Sequence, residues 1–169
     1  MTKYHPVLSV VAASVLLAGC PWDVDDDDHA LSRYIPVYMS YDELRESVVV
    51  TEAEEIDDTI DRVYLYDSWI FLVDTGKGIH VLDNRDPTAP KNTAYVEVPG
   101  STEISIRDGY IFVDSFVDLV TLDARNPEAV IEVDREVDIF PYDPYQVIDD
   151  DVYFSDVDES RGVVVGYRN

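Results

Sequence analysis

The chain has 169 residues, 36 Asp and Glu against 12 Lys and Arg, and a formal net charge of -24. At that length, with 46% hydrophobic residues, it is expected to form one foldable domain rather than a disordered chain. The charge argues against nucleic acid, which needs a basic face, and against electrostatic docking on an anionic membrane; the single Cys excludes an intramolecular disulfide and a Cys-cluster zinc site.

Residues 1–19 read as an export signal. Lys3 supplies the positive start, and Val7 to Leu17 is an apolar run. As a helix the run would rise roughly 16 Å, about half of a bilayer's hydrocarbon core, so it is too short to span. Leu17-Ala18-Gly19-Cys20 resembles the lipobox of bacterial lipoproteins. That resemblance implies that the Cys20 sulfur is diacylated and that Cys20 becomes the first residue of the mature chain. The competing reading is an ordinary signal peptide with a Cys near its end. Several acyl chains on one residue give a stable anchor, so the membrane is the first expected partner. Pro21 directly after Cys20 resembles the outer-membrane class of Gram-negative lipoproteins.

Residues 20–33 read as an acidic, solvated tether, since Pro21 to His29 (PWDVDDDDH) has little to bury. Asp25 to Asp28 also resembles the export signals of some surface lipoproteins, and a cation site is a further reading. Residues 34–61 form a strap. Ser40 and Glu43 are spaced as a capping box, which predicts a short helix ending near Ser47 with Leu44 on its buried face. Val48 to Thr51 predicts one strand, and the acidic residues 53–61 a loop.

Residues 62–169 repeat. Trp69 to Pro87 aligns with Gly109 to Pro127 at an offset of forty, without a gap, and Trp69 to Val81 aligns with Tyr153 to Val165. In the first copy Val63 to Tyr66, Trp69 to Val73, Gly78 to Leu82 and Ala94 to Val98 read as strands separated by turn residues. Four short strands in about forty residues is the pattern of one propeller blade. Asp83 to Pro87 and Asp123 to Pro127 read as turns, with the Asp side chain accepting from the backbone and Pro fixing φ. Asp74, Asp83, Pro87, Asp114, Asp123, Pro127 and Asp158 are therefore expected to be turn residues rather than catalytic groups.

Ile79 to Asp83 and Leu119 to Asp123 resemble the core of the LVIVD repeat of bacterial β-propeller proteins, and Tyr34 to Leu44 resembles the N-terminal strap of their lipid-anchored members. The resemblance implies an all-β fold, here a partial propeller of two to three blades with a short N-terminal helix, and an anchor. It brings no catalytic residues. A closed propeller needs at least four blades, about 160 residues. The repeats here amount to two full copies and a partial third. The half-ring implies a homo-oligomer or a partner protein completing the propeller, an open stack of sheets, or a shortened reading frame.

Catalytic patterns are sparse. Cys20 is assigned to lipid, His29 to the tether, and His80 sits mid-strand on the face of Leu82. No nucleophile elbow and no Gly-rich strand-to-helix loop occurs. Asp149 to Asp151 and Asp156 to Glu159 are dense in carboxylates, but neither has the spacing of an EF-hand calcium loop, and no metal or cofactor is expected. Tyr142 to Tyr145 reads as a Tyr-Pro packing cluster, or as a contact for a partner or sugar. The leading expectation is a lipid-anchored cell-envelope protein presenting a binding or scaffolding surface, with no catalysis. The second is an envelope hydrolase using carboxylates on the same scaffold.

Overall fold

The computed structural model describes residues 33–56, 60–148 and 151–169. The expected signal segment, Cys20, the tether as far as residue 32, residues 57–59 of the acidic loop and the Asp149-Asp150 pair lie outside the described residues.

The fold is all-β. Its strands are β1 (Arg33–Met39), β2 (Val49–Thr51), β3 (Ile60–Tyr66), β4 (Trp69–Asp74), β5 (Gly78–Asp83), β6 (Lys91–Glu97), β7 (Ile104–Arg107), β8 (Tyr110–Ser115), β9 (Asp118–Asp123), β10 (Ile131–Glu136), β11 (Tyr153–Phe154) and β12 (Val163–Arg168). They form three open sheets. The first runs β2-β6-β5-β4-β3, the second β10-β9-β8-β7, and the third β11-β1-β12. Each expected run of β-branched and aromatic residues in the first copy became a strand, and β2 occupies the Val-Val-Thr segment.

One short helix, α1 (Tyr41–Arg45), follows β1. It forms where the capping box predicts. Glu43 N donates to Ser40 Oγ at 3.3 Å, and Ser40 N donates to the Glu43 carboxylate at 2.9 Å. Those bonds satisfy amide groups that a helix start leaves open. Leu44 is fully buried. The helix stops at Arg45, with Glu46 as its C-cap, slightly before the expected end.

The first and second sheets are equivalent hairpin ladders, but with a one-residue slip. Trp69 lies opposite Asp83 in the first sheet, and Tyr110 lies opposite Asp123 in the second. Trp69 therefore corresponds to Tyr110, an offset of 41, while Asp83 corresponds to Asp123, an offset of 40. The β4–β5 loop is three residues and the β8–β9 loop two, which absorbs the difference. The ungapped alignment is thus corrected within β8. Asp74 and Asp114 are not equivalent positions, although both follow a valine.

A slip of one residue in a strand exchanges its faces, so the packing reads differently from the sequence match. The first sheet turns Phe71, Val73, Ile79, Val81 and Val96 inward, and the second turns Ile104, Ile111, Val113, Val120 and Leu122 to meet them, in one buried cluster. The true equivalents of Phe71, Val73, Ile79 and Val81 are Phe112, Asp114, Leu119 and Thr121, on the other face of the second sheet. The two sheets therefore stack front to back, through opposite faces of the same motif. Each fully buried side chain of this class contributes about 1.5–3 kcal/mol.

The third copy departs from its expected form. Its two strands do not pair with each other. β1 lies between them, antiparallel to β12 from Ile35 opposite Arg168 to Met39 opposite Val163, and parallel to β11. A smaller apolar cluster of Leu44, Phe116, Val117 and Val163 lies beside this sheet. The 3-10 turn Glu159–Arg161 leads into β12 through Gly162, whose φ of 119° is open to glycine.

Candidate functional site

The free face of the second sheet carries a cleft of about 610 Å³. Phe112 and Leu119 come from its strands, and Phe140 and Gln146 from the segment that crosses after β10. Asp114 lies in its floor. One Asp114 oxygen accepts from Thr102 N at 2.8 Å and Glu103 N at 3.0 Å. The other accepts from Thr102 Oγ1 at 2.7 Å and Gln146 Nε2 at 3.3 Å. A carboxylate has about four lone-pair directions, and these four donors use them. Asp114 therefore pins the strand entry and the crossing segment. The cleft it leaves is an aromatic and aliphatic groove with a polar rim.

The turn residues repeat one device. Asp83 accepts from Arg85 N at 2.9 Å and grips its guanidinium through both oxygens, and Arg85 lies 5.8 Å over the Trp69 ring. Asp123 accepts from Arg125 N at 3.0 Å in the same way, with Arg125 5.2 Å over Tyr110. The stacking identifies Trp69 with Tyr110 independently of the ladder. Asp158 instead accepts from Ser160 N at 3.1 Å and Ser160 Oγ at 2.6 Å. Its own N donates to Tyr38 Oη at 2.8 Å, and Arg161 lies 4.3 Å over that ring. Pro127 opens the 3-10 turn Pro127–Ala129, and Pro87 sits in the turn after Arg85. Asp74 is buried, with Lys77 Nζ 3.3 Å from its carboxylate.

The bonds from Arg85 and Arg125 hold the Asp83 and Asp123 carboxyls down to about 2, against an ordinary value near 4. A folded-state value below the unfolded one stabilises above the unfolded value and is lost as pH falls toward the folded one. Stability should therefore decline between about pH 4 and about pH 2. The Asp83→Asn, Asp123→Asn double variant should show a flatter profile across that window in urea titrations. An unchanged slope would refute this assignment.

The structure also brings together a group that no motif marked. Asp118 is an acidic side chain with no exposed surface, on the core face of β9. Its Oδ2 accepts from Arg45 Nε at 3.2 Å and Arg135 Nη1 at 3.3 Å, and its Oδ1 from Asp138 N at 3.0 Å. Arg135 donates on to Glu132 at 2.9 Å, and Arg45 reaches Asp138 at 3.4 Å. This network ties α1 to the second sheet, and the Asp118 contact raises the Arg45 pKa further. A charge at an inward-facing strand position, where the first copy has Gly78, was the available signal.

His80 is buried, 4.7 Å from the Tyr95 ring. Tyr142 packs into the smaller cluster and donates to Gly162 O at 3.3 Å, and burial pushes its hydroxyl up to about 12. Tyr145 stacks on Phe154 at 5.0 Å. Among the described residues no cluster of three or more His, Cys, Asp or Glu is arranged to hold a metal ion, and no helix is long and apolar enough to cross a membrane. No protein-family model, curated protein or solved structure matches the chain.

Proposed function

We propose that this chain is a lipid-anchored, propeller-like module of the cell envelope, of the LVIVD-repeat kind, that presents a binding or scaffolding surface and carries out no reaction. The observation that carries the reading is the front-to-back stacking of a five-stranded and a four-stranded sheet built on equivalent hairpin ladders. Successive blades meet in that way around a propeller axis, whereas two sheets related by a two-fold would meet through the same face. The use of the conspicuous carboxylates supports the non-catalytic half. Asp83, Asp114, Asp118, Asp123 and Asp158 are each spent on backbone amides, hydroxyls or guanidinium groups within the fold. The presenting surface is the aromatic cleft on the second sheet. On this reading the Cys20 lipid holds the module in the outer membrane, on its periplasmic face or at the cell surface, and the acidic segment up to residue 33 spaces it from the bilayer.

Cys20→Ser tests the anchor. In a bacterial host labelled with radioactive palmitate, the wild-type chain should take up label and be processed before Cys20. The variant should take up none and keep its leader. Equal label and equal mobility in the two would refute lipid attachment at Cys20.

A further inference from the structure

The first sheet has five strands and the second four. The additional strand is β2, which the strap lays antiparallel along the outer edge of β6. β10 is the equivalent of β6. Lys91 lies opposite Asp83 and Ile131 opposite Asp123, and two positions on each strand has a one-residue bulge, at Thr93 and at Val133. β2 pairs with Tyr95, Val96 and Glu97, whose equivalents are Arg135, Glu136 and Val137. Among the described residues no strand lies along that edge of β10.

Two further observations fall on the same edge. The gap between the sheets opens between β2 and the start of β10 as an apolar groove of about 440 Å³. It is lined by Val48 to Val50, Val96, Leu122, Val130 and Ile131, and its charged residue, Glu132, is held by Arg135. In addition, Ile131, Val133, Val137 and Ile139 are 58%, 48%, 48% and 52% exposed. Single aliphatic side chains on a surface are ordinary. Four of them within nine residues lie here along an edge strand, which presents its N–H and C=O groups to any strand laid beside it.

The charges select the partner. Asp134 and Glu136 are exposed, opposite Thr121 and Leu119 on the free face of the second sheet. Side chains alternate across a strand. A strand added here therefore sets every second residue beside Asp134 and Glu136, and turns those between toward the groove. A second copy of β10, paired symmetrically about Arg135, would set Asp134 against Glu136 twice, and like charges directly opposite are destabilising. We infer that the outer edge of β10 takes an extended segment of a partner protein, paired as β2 pairs with β6, in which β-branched residues alternate with Lys or Arg. Main-chain bonds supply affinity in such an added strand, and the alternate side chains supply specificity. This is a second presenting surface beside the cleft, and its failure would leave the cleft and the anchor as they stand.

The probe is a capped hexapeptide of alternating Val and Lys, titrated into the full chain carrying Cys20→Ser. It should bind, and it should slow amide exchange in β10 more than in the other edge strands, β2, β3 and β7. Adding Asp134→Lys with Glu136→Lys should weaken it about tenfold and favour a Val-Glu hexapeptide instead, because the opposed charges become like ones. Glu52→Lys with Glu55→Lys makes the same change in net charge at exposed strap residues and should leave binding near its original strength. A peptide with Pro in place of each Val keeps the charge but loses those ladder donors, and should not bind. Equal binding of the Pro peptide, or equal loss in the two double variants, would show attraction to bulk charge and overturn the strand site. Protection confined to β2, β3 or β7 would overturn its place on β10. A two-chain mass without peptide, with β10 protected, would make a second copy the occupant and overturn the basic partner. Absence of binding would overturn the inference outright.

Discussion

Asp118→Ala should destabilise the fold by about 3–5 kcal/mol, the usual cost of removing one partner from a buried ion pair. The Arg135 side chain is only 8% exposed, and Asp118 is the acceptor it shares with Arg45. Without it a guanidinium stays in the core with Glu132 alone, and Asp138 N, at a residue with φ of 54°, loses its acceptor. The helix α1 also loses its charged link to the second sheet. Urea denaturation should show the midpoint falling by most of the transition range of a small domain. Asp118→Ala combined with Arg135→Met should recover much of the loss, because a neutral pair of similar volume carries no desolvation cost. Equal instability of the single and double variants would show that Asp118 acts through packing rather than charge.

Gly162→Ala should be the second severe change, on the order of 3 kcal/mol, since backbone strain of about 1–3 kcal/mol adds to a displaced strand. The φ of 119° is unfavourable for any side chain, and a Cβ would overlap the Met39 carbonyl oxygen at the end of β1. The Met39–Val163 pair closes the β1–β12 ladder there, so the overlap pushes the strap off the last strand. Tyr142 reports the event, because its hydroxyl bonds Gly162 O and its pKa stands at about 12. In the variant its ionisation should move back toward the ordinary tyrosine value. Gly166→Ala is the control. A Cβ there meets nothing within 4 Å, and stability should change little.

The local structure was written plainly in the chain. Ser40 and Glu43 announced α1, and the runs around Val63, Trp69, Gly78 and Ala94 announced β3 to β6, because capping and strand propensity act over a few neighbouring residues. The register of β8 was not. The Val73-Asp74 and Val113-Asp114 identities favour a gapless match, and the extra loop residue emerges from the strand pairing and from the Arg85–Trp69 and Arg125–Tyr110 stacking. The Asp turn residues were legible as a residue type, but Asp114 in the cleft floor and the Asp118 network were not. Their donors, Gln146, Arg45 and Asp138, come from segments far away in sequence. The third sheet was hidden for the same reason. The pairing of Ile35 with Arg168 leaves no periodic trace in either segment.

That pairing has a mechanical consequence. β1 runs antiparallel to β12, with Ile35 opposite Arg168 and Met39 opposite Val163. A pull on the chain preceding Arg33 enters β1 at its first residue, while β12 is held to the body at its opposite end, through Gly162. The two strands are then drawn past each other along their length. Ladder bonds lie perpendicular to the strands, so tension is shared by all of them at once and does not peel them singly. A tug from the N-terminal side of Arg33 meets the grip of a lap joint, not the slide of a zipper.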